Sequence, residues 1–306
     1  MNRYDFDHAL APLVLNFDDA VGTLAAEQRI NLTDWQERIR FGCGQSTYRQ
    51  LMQHFDQALP SSYGTVLMGS GDYHHVTLAL LARLSARYNK DHPIDVVVFD
   101  NHPDNMRFPF GVHCGSWVKH VAKLPFVRHV HVIGITSSDI SAAHAWENYL
   151  SPLYQHKVSY WCLGVNVGWA KYMGLQHAFH RFEQADALVE AFIQALKNPD
   201  NATTPIYLSI DKDVFAAEVA QTNWDQGILL EQHVIEVIAA LHGRLIGSDI
   251  TGEISSWQYT TWWKRWMSAM DGQALPSETE LHTWQLQHHA VNTRLLAAIG
   301  QASQVE

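Results

Sequence analysis

The chain has 306 residues, of which 47% are hydrophobic and 17% are charged. This composition supplies a sizeable core and excludes an intrinsically disordered protein, which needs low hydrophobicity and high charge. The net charge of −10 argues against broad affinity for nucleic acids or anionic lipids. No apolar run reaches the roughly 18 residues of a membrane-spanning helix, and the acidic first residues do not resemble a signal peptide. The three widely spaced cysteines suggest reduced thiols, so we expect a cytoplasmic protein.

Segments with strand patterns alternate along the chain with segments of helical periodicity. The strand patterns are Leu13–Phe17, Gly64–Met68, Ile94–Phe99, His129–Ile135, Lys157–Leu163, Pro205–Ile210 and Leu245–Ile250. The helical patterns are Trp35–Leu59 with interruptions at Gly42 and Gly44, Val76–Arg87, Trp117–Leu124, Phe182–Leu196, Glu231–Leu241, 257–270 and 277–299. This alternation predicts a parallel sheet covered by helices, that is, an α/β fold. Because no linker composition interrupts it, we expect one domain over residues 1–306, with a Trp-rich helical segment from about residue 256.

Acidic and histidine side chains follow four of the predicted strands. In chain order they are His74 and His75, then Asp100, His102 and Asp104, then Asp211 and Asp213, and finally Asp249 and Glu253. The carboxyl ends of parallel strands meet at one edge of the sheet, which is where such sheets bind ligands. Alternate residues of an extended chain share a face, so positions 100, 102 and 104 point the same way, as do 211 and 213. Converging carboxylates repel one another unless cations neutralise them.

This residue set predicts a metal site. Carboxylate and imidazole ligands favour Mn²⁺, with Zn²⁺, Fe²⁺ and Ni²⁺ as alternatives, and the absence of a Cys motif argues against structural zinc. Two metal ions about 3.5–4 Å apart can share a hydroxide that attacks at neutral pH. The residues alone therefore predict a binuclear metallohydrolase.

Five segments of the chain resemble motifs of the ureohydrolases, the arginase and agmatinase family. Phe99–Asp104 resembles that family's Asp-Ala-His-x-Asp motif, and Ser209–Asp213 resembles its Ser-x-Asp-x-Asp motif. Gly71–His74 stands where the family has Gly-Gly-Asp-His, Phe110–His113 resembles its histidine-bearing loop, and Thr222–Gly227 lies where it has a Thr-Gly-Thr-Pro loop. The resemblance covers roughly residues 64–255.

The resemblance implies a three-layer α/β/α fold with a mostly parallel sheet of roughly eight strands, and a homo-oligomer. It also implies two divalent metal ions, most often Mn²⁺, and hydrolysis of a C–N bond in a small guanidino, amidino or ureido compound. One metal would be bound by His74, Asp100, Asp104 and Asp211, and the other by Asp100, His102, Asp211 and Asp213. His113 would move a proton near the metals.

Departures from the family's motifs bear on the substrate. The family's guanidinium-binding Glu lies three residues after an Asp, whereas Glu253 lies four after Asp249, beyond Gly252. Glu253 is still the best candidate for this role, with Asp225 next, but the altered spacing argues against arginine as the substrate. Two other functions remain open: a non-catalytic metal-binding relative, and an amide deacetylase on the same fold.

Two assignments rest on local patterns. His74 is favoured over His75 as the first ligand because the helical pattern begins directly after His75. Four tryptophans lie close together near the carboxyl end of the chain, and we expect them in core packing or a subunit contact: Trp257, Trp262, Trp263 and Trp266.

Overall fold

The computed structural model of the protein describes residues 5–6, 10–199, 202–265 and 277–303. Its strands, in chain order, are β1 Asp5–Phe6, β2 Leu13–Asn16, β3 Gln28–Asn31, β4 Gly42–Gly44, β5 Ser62–Tyr63, β6 Val66–Leu67, β7 Ile94–Phe99, β8 Gly111–His113, β9 Val127–Ile135, β10 Val158–Leu163, β11 Phe179–Phe182, β12 Ile206–Asp211 and β13 Leu245–Thr251. Nine of these form one sheet in the order β11-β10-β9-β7-β12-β13-β6-β2-β3, and every neighbouring pair is parallel. Two small sheets join β1 with β5 and β4 with β8.

Helices cover the sheet on both sides. They are α1 Gln36–Ile39, α2 Gln45–Ala58, α3 Thr77–Arg83, α4 Val118–Ala122, α5 Ser151–Tyr154, α6 Trp169–Tyr172, α7 Ala185–Leu196, α8 Glu231–Ala240 and the C-terminal helix Glu278–Ala302. Residues 262–265 are also helical. Across the described ranges, no helix combines the length and the apolar character needed to cross a bilayer.

The central strand β7 shows why the fold has three layers. Its six residues are all buried, and alternate side chains enter different cores. Val96 and Val98 pack with α2, α3 and α4 on one face, whereas Val97 and Phe99 pack with α7, α8 and the C-terminal helix on the other. A strand covered on both faces needs apolar residues at nearly every position, and Ile94–Phe99 fits this except at Asp95, which is buried and paired with Arg128. The predicted three-layer fold is confirmed, with nine strands in place of about eight.

The structure differs from the predicted elements mainly at the edges. The edge strand Gln28–Asn31 is polar and mostly exposed, so no apolar run marks it, and the opposite edge strand Phe179–Phe182 was likewise not predicted. In the Trp-rich segment, residues 257–260 are not helical and helix begins only at Trp262. Trp266 lies outside the described residues.

Strand order places the sheet's switch point between β7 and β12. The chain runs from β7 outward through β9, β10 and β11, then returns to the other side of β7 as β12 and β13. A crevice forms where neighbouring connections leave in opposite directions. The segments that follow β7 and end β12 therefore lie beside each other, and they carry Asp100–Asp104 and Asp211–Asp213.

A buried polar cluster ties the C-terminal helix to this region. Lys212 Nζ lies 2.5 Å from Glu253 Oε1 and donates to Asn292 Oδ1 at 3.0 Å. Asn292 Nδ2 also donates to Glu253 Oε1, at 2.6 Å, and His288 Nδ1 is 3.4 Å from Glu253 Oε2. All four residues are buried. Burial opposes ionisation of Glu253, but the Lys212 ammonium outweighs it and keeps the pKa of that carboxyl below its usual range.

We predict that Glu253→Gln lowers the free energy of unfolding by about 3–5 kcal/mol, because it leaves the Lys212 charge buried without a partner. The double variant Lys212→Met/Glu253→Gln should lose less, since it removes both charges. The matched control is Glu231→Gln in α8, which breaks the surface ion pair with Arg294. Arg294 lies on the C-terminal helix that also carries Asn292, and the loss should be at most about 1 kcal/mol. Urea denaturation measures all three, and equal losses for both Gln variants would contradict the prediction.

Candidate metal centre

Six side chains from three strand ends meet at the switch point: His74, Asp100, His102, Asp104, Asp211 and Asp213. The His74 Nδ1 atom lies 3.1 Å from both Asp100 Oδ2 and Asp104 Oδ2. It also lies 3.4 Å from Asp211 Oδ2. The His102 Nδ1 atom lies 2.9 Å from Asp213 Oδ2 and 3.6 Å from Asp100 Oδ1. The structure thus brings together all the residues that the sequence predicts as metal ligands.

Five of these side chains, all but Asp104, form two compact groups that share Asp100. His74, Asp100 and Asp211 form one, and Asp100, His102 and Asp213 form the other, with candidate ligand atoms within 4.8 Å of one another in each. Asp100 therefore stands where a ligand shared by two metals would. Asp211 belongs only to the first group, whereas the family resemblance implies that it contributes to both metals.

Unpaired polar atoms and pKa shifts show that this cluster fits cations. Although they lie 3.1 Å apart, the buried atoms His74 Nδ1 and Asp100 Oδ2 form no hydrogen bond with each other or with another group of the described residues, which is unusual for buried polar atoms. Burial and the Asp100 carboxylate raise the pKa of Asp104 to about 6, and burial with Asp213 raises the pKa of Asp211. Burial lowers the pKa of His74, but Asp100 and Asp104 outweigh it and raise that pKa well above its usual value. Carboxylates that repel one another are neutralised by protons or by metal ions.

Hydrogen bonds behind His74 set which ring nitrogen faces the carboxylates. Ser209 Oγ donates to Asp249 Oδ1 at 2.7 Å, so this hydroxyl is free only to accept from His74 Nε2 at 3.0 Å. Tyr207 OH donates to Asp249 Oδ2 at 2.7 Å and holds that carboxylate in place. The Nδ1 lone pair of His74 therefore points into the cluster, an arrangement that is common behind metal-binding histidines.

The turn that carries His74 is fixed by a buried ion pair. Residues Gly71–Val76 form a 3₁₀ helix, and Asp72 in its first turn binds Arg40 with a Nε–Oδ2 distance of 2.6 Å. Tyr73, at the position where the sequence departs from the family motif, stacks on Phe17 with ring centroids 4.6 Å apart. His75 points elsewhere, and its fully buried ring contacts none of the six side chains at hydrogen-bonding distance.

Asn101 joins three parts of the site. Its backbone N–H donates to Asp213 Oδ1 at 3.0 Å, and its side-chain amide donates to the Asp225 carbonyl at 2.9 Å. Its Oδ1 accepts from the Thr136 backbone N–H and hydroxyl at 3.0 and 2.6 Å. Asn101 thus connects the end of β7 with the end of β9 and with the loop that carries Asp225. We did not single out Asn101 from the sequence, although its place between Asp100 and His102 was a signal.

Aromatic rings extend from the metal cluster toward the surface. The Trp224 ring lies edge-on to His102 at 6.0 Å and is roughly parallel to Phe41 at 6.0 Å. Phe41 in turn is parallel to His113 at 6.0 Å, and His113 meets Phe108 edge-on at 4.6 Å. Trp257 and Trp263 also pack near this group, as core packing predicts. We call Phe41, Phe108, His113 and Trp224 the aromatic wall.

His113 lies in this wall as a neutral ring. Its Nδ1 accepts from the Gly115 backbone N–H at 3.0 Å, so Nε2 carries the proton. Burial lowers the pKa of His113 to about 4, whereas a group that exchanges protons at neutral pH needs a pKa near 7. This geometry favours a role in packing over the proton transfer that the resemblance implies.

Glu253, which the sequence predicts as the substrate-binding carboxylate, lies apart from the six-residue cluster. Its oxygens face Lys212, Asn292 and His288, as described above, and no hydrogen bond joins it to the six-residue cluster within the described part of the chain. Gly252 faces the cluster instead: it has φ +87°, and a Cβ there would stand 2.3 Å from Asp211 Oδ1. The sequence could not reveal this, because Asn292 and His288 approach from a distant helix.

Comparisons with known proteins agree with this geometry. The profile of the Arginase family matches residues 14–252. An uncharacterized protein of Thermotoga maritima is 25% identical over 199 residues, which are 65% of this chain and 61% of that protein. The chain thus spans less than two thirds of that relative's length.

Three solved structures share the fold. Proclavaminate amidino hydrolase from Streptomyces clavuligerus superposes with a TM-score of 0.54 at 16% identity, covering 99% of this chain and 97% of that one. Arginase from Bacillus subtilis gives 0.55 at 11% identity, covering 95% and 98%. A hypothetical agmatinase from Burkholderia thailandensis gives 0.52 at 15% identity, covering 97% and 88%. At these identities the likeness shows the fold alone, and the profile match over most of the chain shows that this protein belongs to the arginase family.

Proposed function

We propose that this protein is a hydrolase that uses two divalent metal ions to cleave a C–N bond in a small guanidino, amidino or ureido compound. The observation that carries the proposal is the pair of ligand groups that share Asp100 at the switch point. Membership of the arginase family supports it, since the solved relatives include an amidino hydrolase and an arginase.

The chemistry of the ligands favours Mn²⁺, because four carboxylates and two imidazoles are mostly oxygen donors. When bound, a pair of such ions would supply water acidic enough to attack carbon at neutral pH. The protein's own residues hold the ligands in place: Ser209 and Asp249 orient His74, and Asn101 orients Asp213. A non-catalytic metal site is the alternative. A site needed only for stability would not require two adjacent ligand groups that share one carboxylate.

We expect the Mn²⁺-loaded protein to release amine from at least one compound in a panel of guanidino, amidino and ureido compounds. Asp213→Asn should lower both the second metal's affinity and the rate by about 100-fold or more. Asp91→Asn is the matched control, because this exposed residue lies at the opposite end of β7. Metal content and product release are measured together; full metal loading with no turnover of any compound would favour the non-catalytic alternative.

We predict that His74→Ala removes one metal ion per chain whereas His75→Ala leaves both in place. The reason is that only the His74 ring reaches the carboxylates. Because His75 is fully buried, its substitution will cost stability, so metal content is measured on folded protein checked by circular dichroism. Loss of metal from folded His75→Ala with retention in His74→Ala would reverse the assignment.

Metal binding should weaken as the pH falls through about 6. The raised pKa values of Asp104 and His74 mean that, in acid, protons occupy the atoms that a metal ion needs. Above about pH 7 Asp104 is ionised and protons no longer compete for it, whereas His74, whose pKa lies well above its usual value, must still lose a proton to bind metal, so the affinity keeps rising with pH. Calorimetric titration with Mn²⁺ at pH 5, 6, 7 and 8 measures this, and an affinity that is the same at pH 5 and pH 8 would refute it.

A further inference from the structure

We propose that the substrate carries a carbonyl oxygen on the scissile carbon, as in a ureido or N-acyl group, and that the Trp224 indole N–H donates a hydrogen bond to this oxygen. The proposal rests on the proposed function: it selects the ureido compounds from its substrate class and adds the N-acyl compounds of the amide deacetylase alternative. It follows from an unpaired donor at the border of the metal cluster and from the position of Glu253, whose carboxylate is bound by Lys212 and Asn292.

The first observation concerns polar atoms without partners. Trp224 Nε1, like His74 Nδ1 and Asp100 Oδ2, is buried and has no hydrogen-bond partner. Metal ions would satisfy the histidine and aspartate atoms, because both have lone pairs. An indole nitrogen is a donor only and cannot bind a cation. Leaving such a donor unpaired costs about 1–3 kcal/mol, so its position calls for an acceptor that arrives with a ligand.

Trp224 is close enough to the metal cluster for that ligand to be the substrate. A Cβ on Gly71 would stand 3.0 Å from Asp211 Oδ2, 3.2 Å from Trp224 Cδ1 and 3.4 Å from Trp224 Nε1. The nitrogen-bearing edge of the indole therefore borders the first ligand group, while the ring lies edge-on to His102 of the second. Gly71 lets the indole edge and Asp211 Oδ2 both approach the backbone, since a Cβ there would contact the two groups more tightly than side chains normally do.

The loop around Trp224 is held in place from several sides. The Trp224 backbone N–H donates to Thr222 Oγ1 at 3.3 Å, and the Asp225 carbonyl accepts from Asn101 at 2.9 Å. Asn223 Oδ1 accepts from the Ser255 backbone N–H at 3.0 Å. A donor fixed by its surroundings discriminates between ligands, because it cannot turn away from a group that fails to accept.

The second observation concerns the carboxylate that a guanidinium would need. At the point facing Asp211 the chain has Gly252, where a side chain would collide. The neighbouring Glu253 carboxylate is bound to Lys212 and Asn292. A guanidinium presents only N–H donors, so it could not accept a hydrogen bond from Trp224. It would also find the Glu253 carboxylate already bound by Lys212 and Asn292. A carbonyl oxygen would instead accept from Trp224.

The reaction balances with water alone. Water adds its oxygen to the carbonyl carbon, the C–N bond breaks, and the leaving nitrogen takes a proton to give an amine. An N-acyl compound yields a carboxylic acid, and a ureido compound yields a carbamic acid that decays to carbon dioxide and ammonia.

The aromatic wall suggests the rest of the substrate. Phe41 is buried beside Trp224, whereas Phe108 is partly exposed and contacts Phe110, which is 79% exposed. Planar apolar groups pack well against such rings. We therefore choose benzyl probes, which also give the same product, benzylamine, from every compound.

The test compares benzylurea, N-benzylacetamide and benzylguanidinium on the Mn²⁺-loaded protein, by benzylamine release and by calorimetric binding. We expect at least one carbonyl compound to bind tenfold or more tightly than benzylguanidinium and to be cleaved faster. Trp224→Phe keeps a ring but removes the N–H, and it should weaken binding of that carbonyl compound about 10- to 100-fold while leaving benzylguanidinium and metal content unchanged. Trp262→Phe, at an exposed position, is the control and should change nothing.

The outcomes separate this inference from the proposed function. If no metal binds, the proposed function fails and the inference falls with it. If metals bind but benzylguanidinium is preferred, or if neither class binds, the substrate inference is overturned while the metal site stands. A loss shared equally by both classes in Trp224→Phe would place the N–H on the attacking water and would also overturn it. Comparing benzylurea with N-benzylacetamide then tells a ureido from an N-acyl substrate.

Discussion

The repulsion among four buried carboxylates is the constraint on which the rest of this structure depends. Asp100, Asp104, Asp211 and Asp213 are at most 5% exposed and meet at one point. At 4 Å and an effective dielectric constant of about 20, two like charges repel by about 4 kcal/mol. Such a cluster persists only because the sheet determines its position: β7 and β12 are neighbours in register from Ile206 to Ile210. The fold thus brings the carboxylates together, and cations are the partners that make their convergence favourable.

A shell of hydrogen-bonded groups supports that cluster. Ser209 separates His74 from Asp249 and relays one hydrogen bond between them. Trp117 Nε1 donates to Asp104 Oδ2 at 2.6 Å, which helps to hold Asp104 at its unusual φ of +45°. Lys212, between two of the aspartates in sequence, is turned away and neutralised by Glu253. These contacts orient the candidate ligands or pair a neighbouring charge. Metal ions would then balance the charge of the four carboxylates.

The sequence predicted the parts of this arrangement that depend on local pattern, and not those that depend on distant packing. Alternation in Phe99–Asp104 and Ser209–Asp213 places acids on one face wherever a strand ends, so the ligand set could be predicted. The contacts of Glu253 with Asn292 and His288 could not be predicted, because these two residues come from a helix some 35–40 residues further along the chain. The place of Trp224 beside the cluster could not be predicted for the same reason. It depends on contacts with Phe41, Gly71 and Asp211, which are remote in sequence. The polar edge strand Gln28–Asn31 was missed because edge strands need no apolar run.

Charge balance links the metal site to the choice of substrate. Two divalent cations would cancel the four carboxylates and leave the centre neutral, since the Lys212 and Glu253 charges already cancel each other. A guanidinium has only N–H donors, so beside such a centre it would need an acid as its acceptor. Gly252 occupies the place where such an acid would face Asp211. A neutral carbonyl compound needs no such acid, and it would satisfy Trp224 Nε1, a buried donor at the cluster's border that has no hydrogen-bond partner among the described residues.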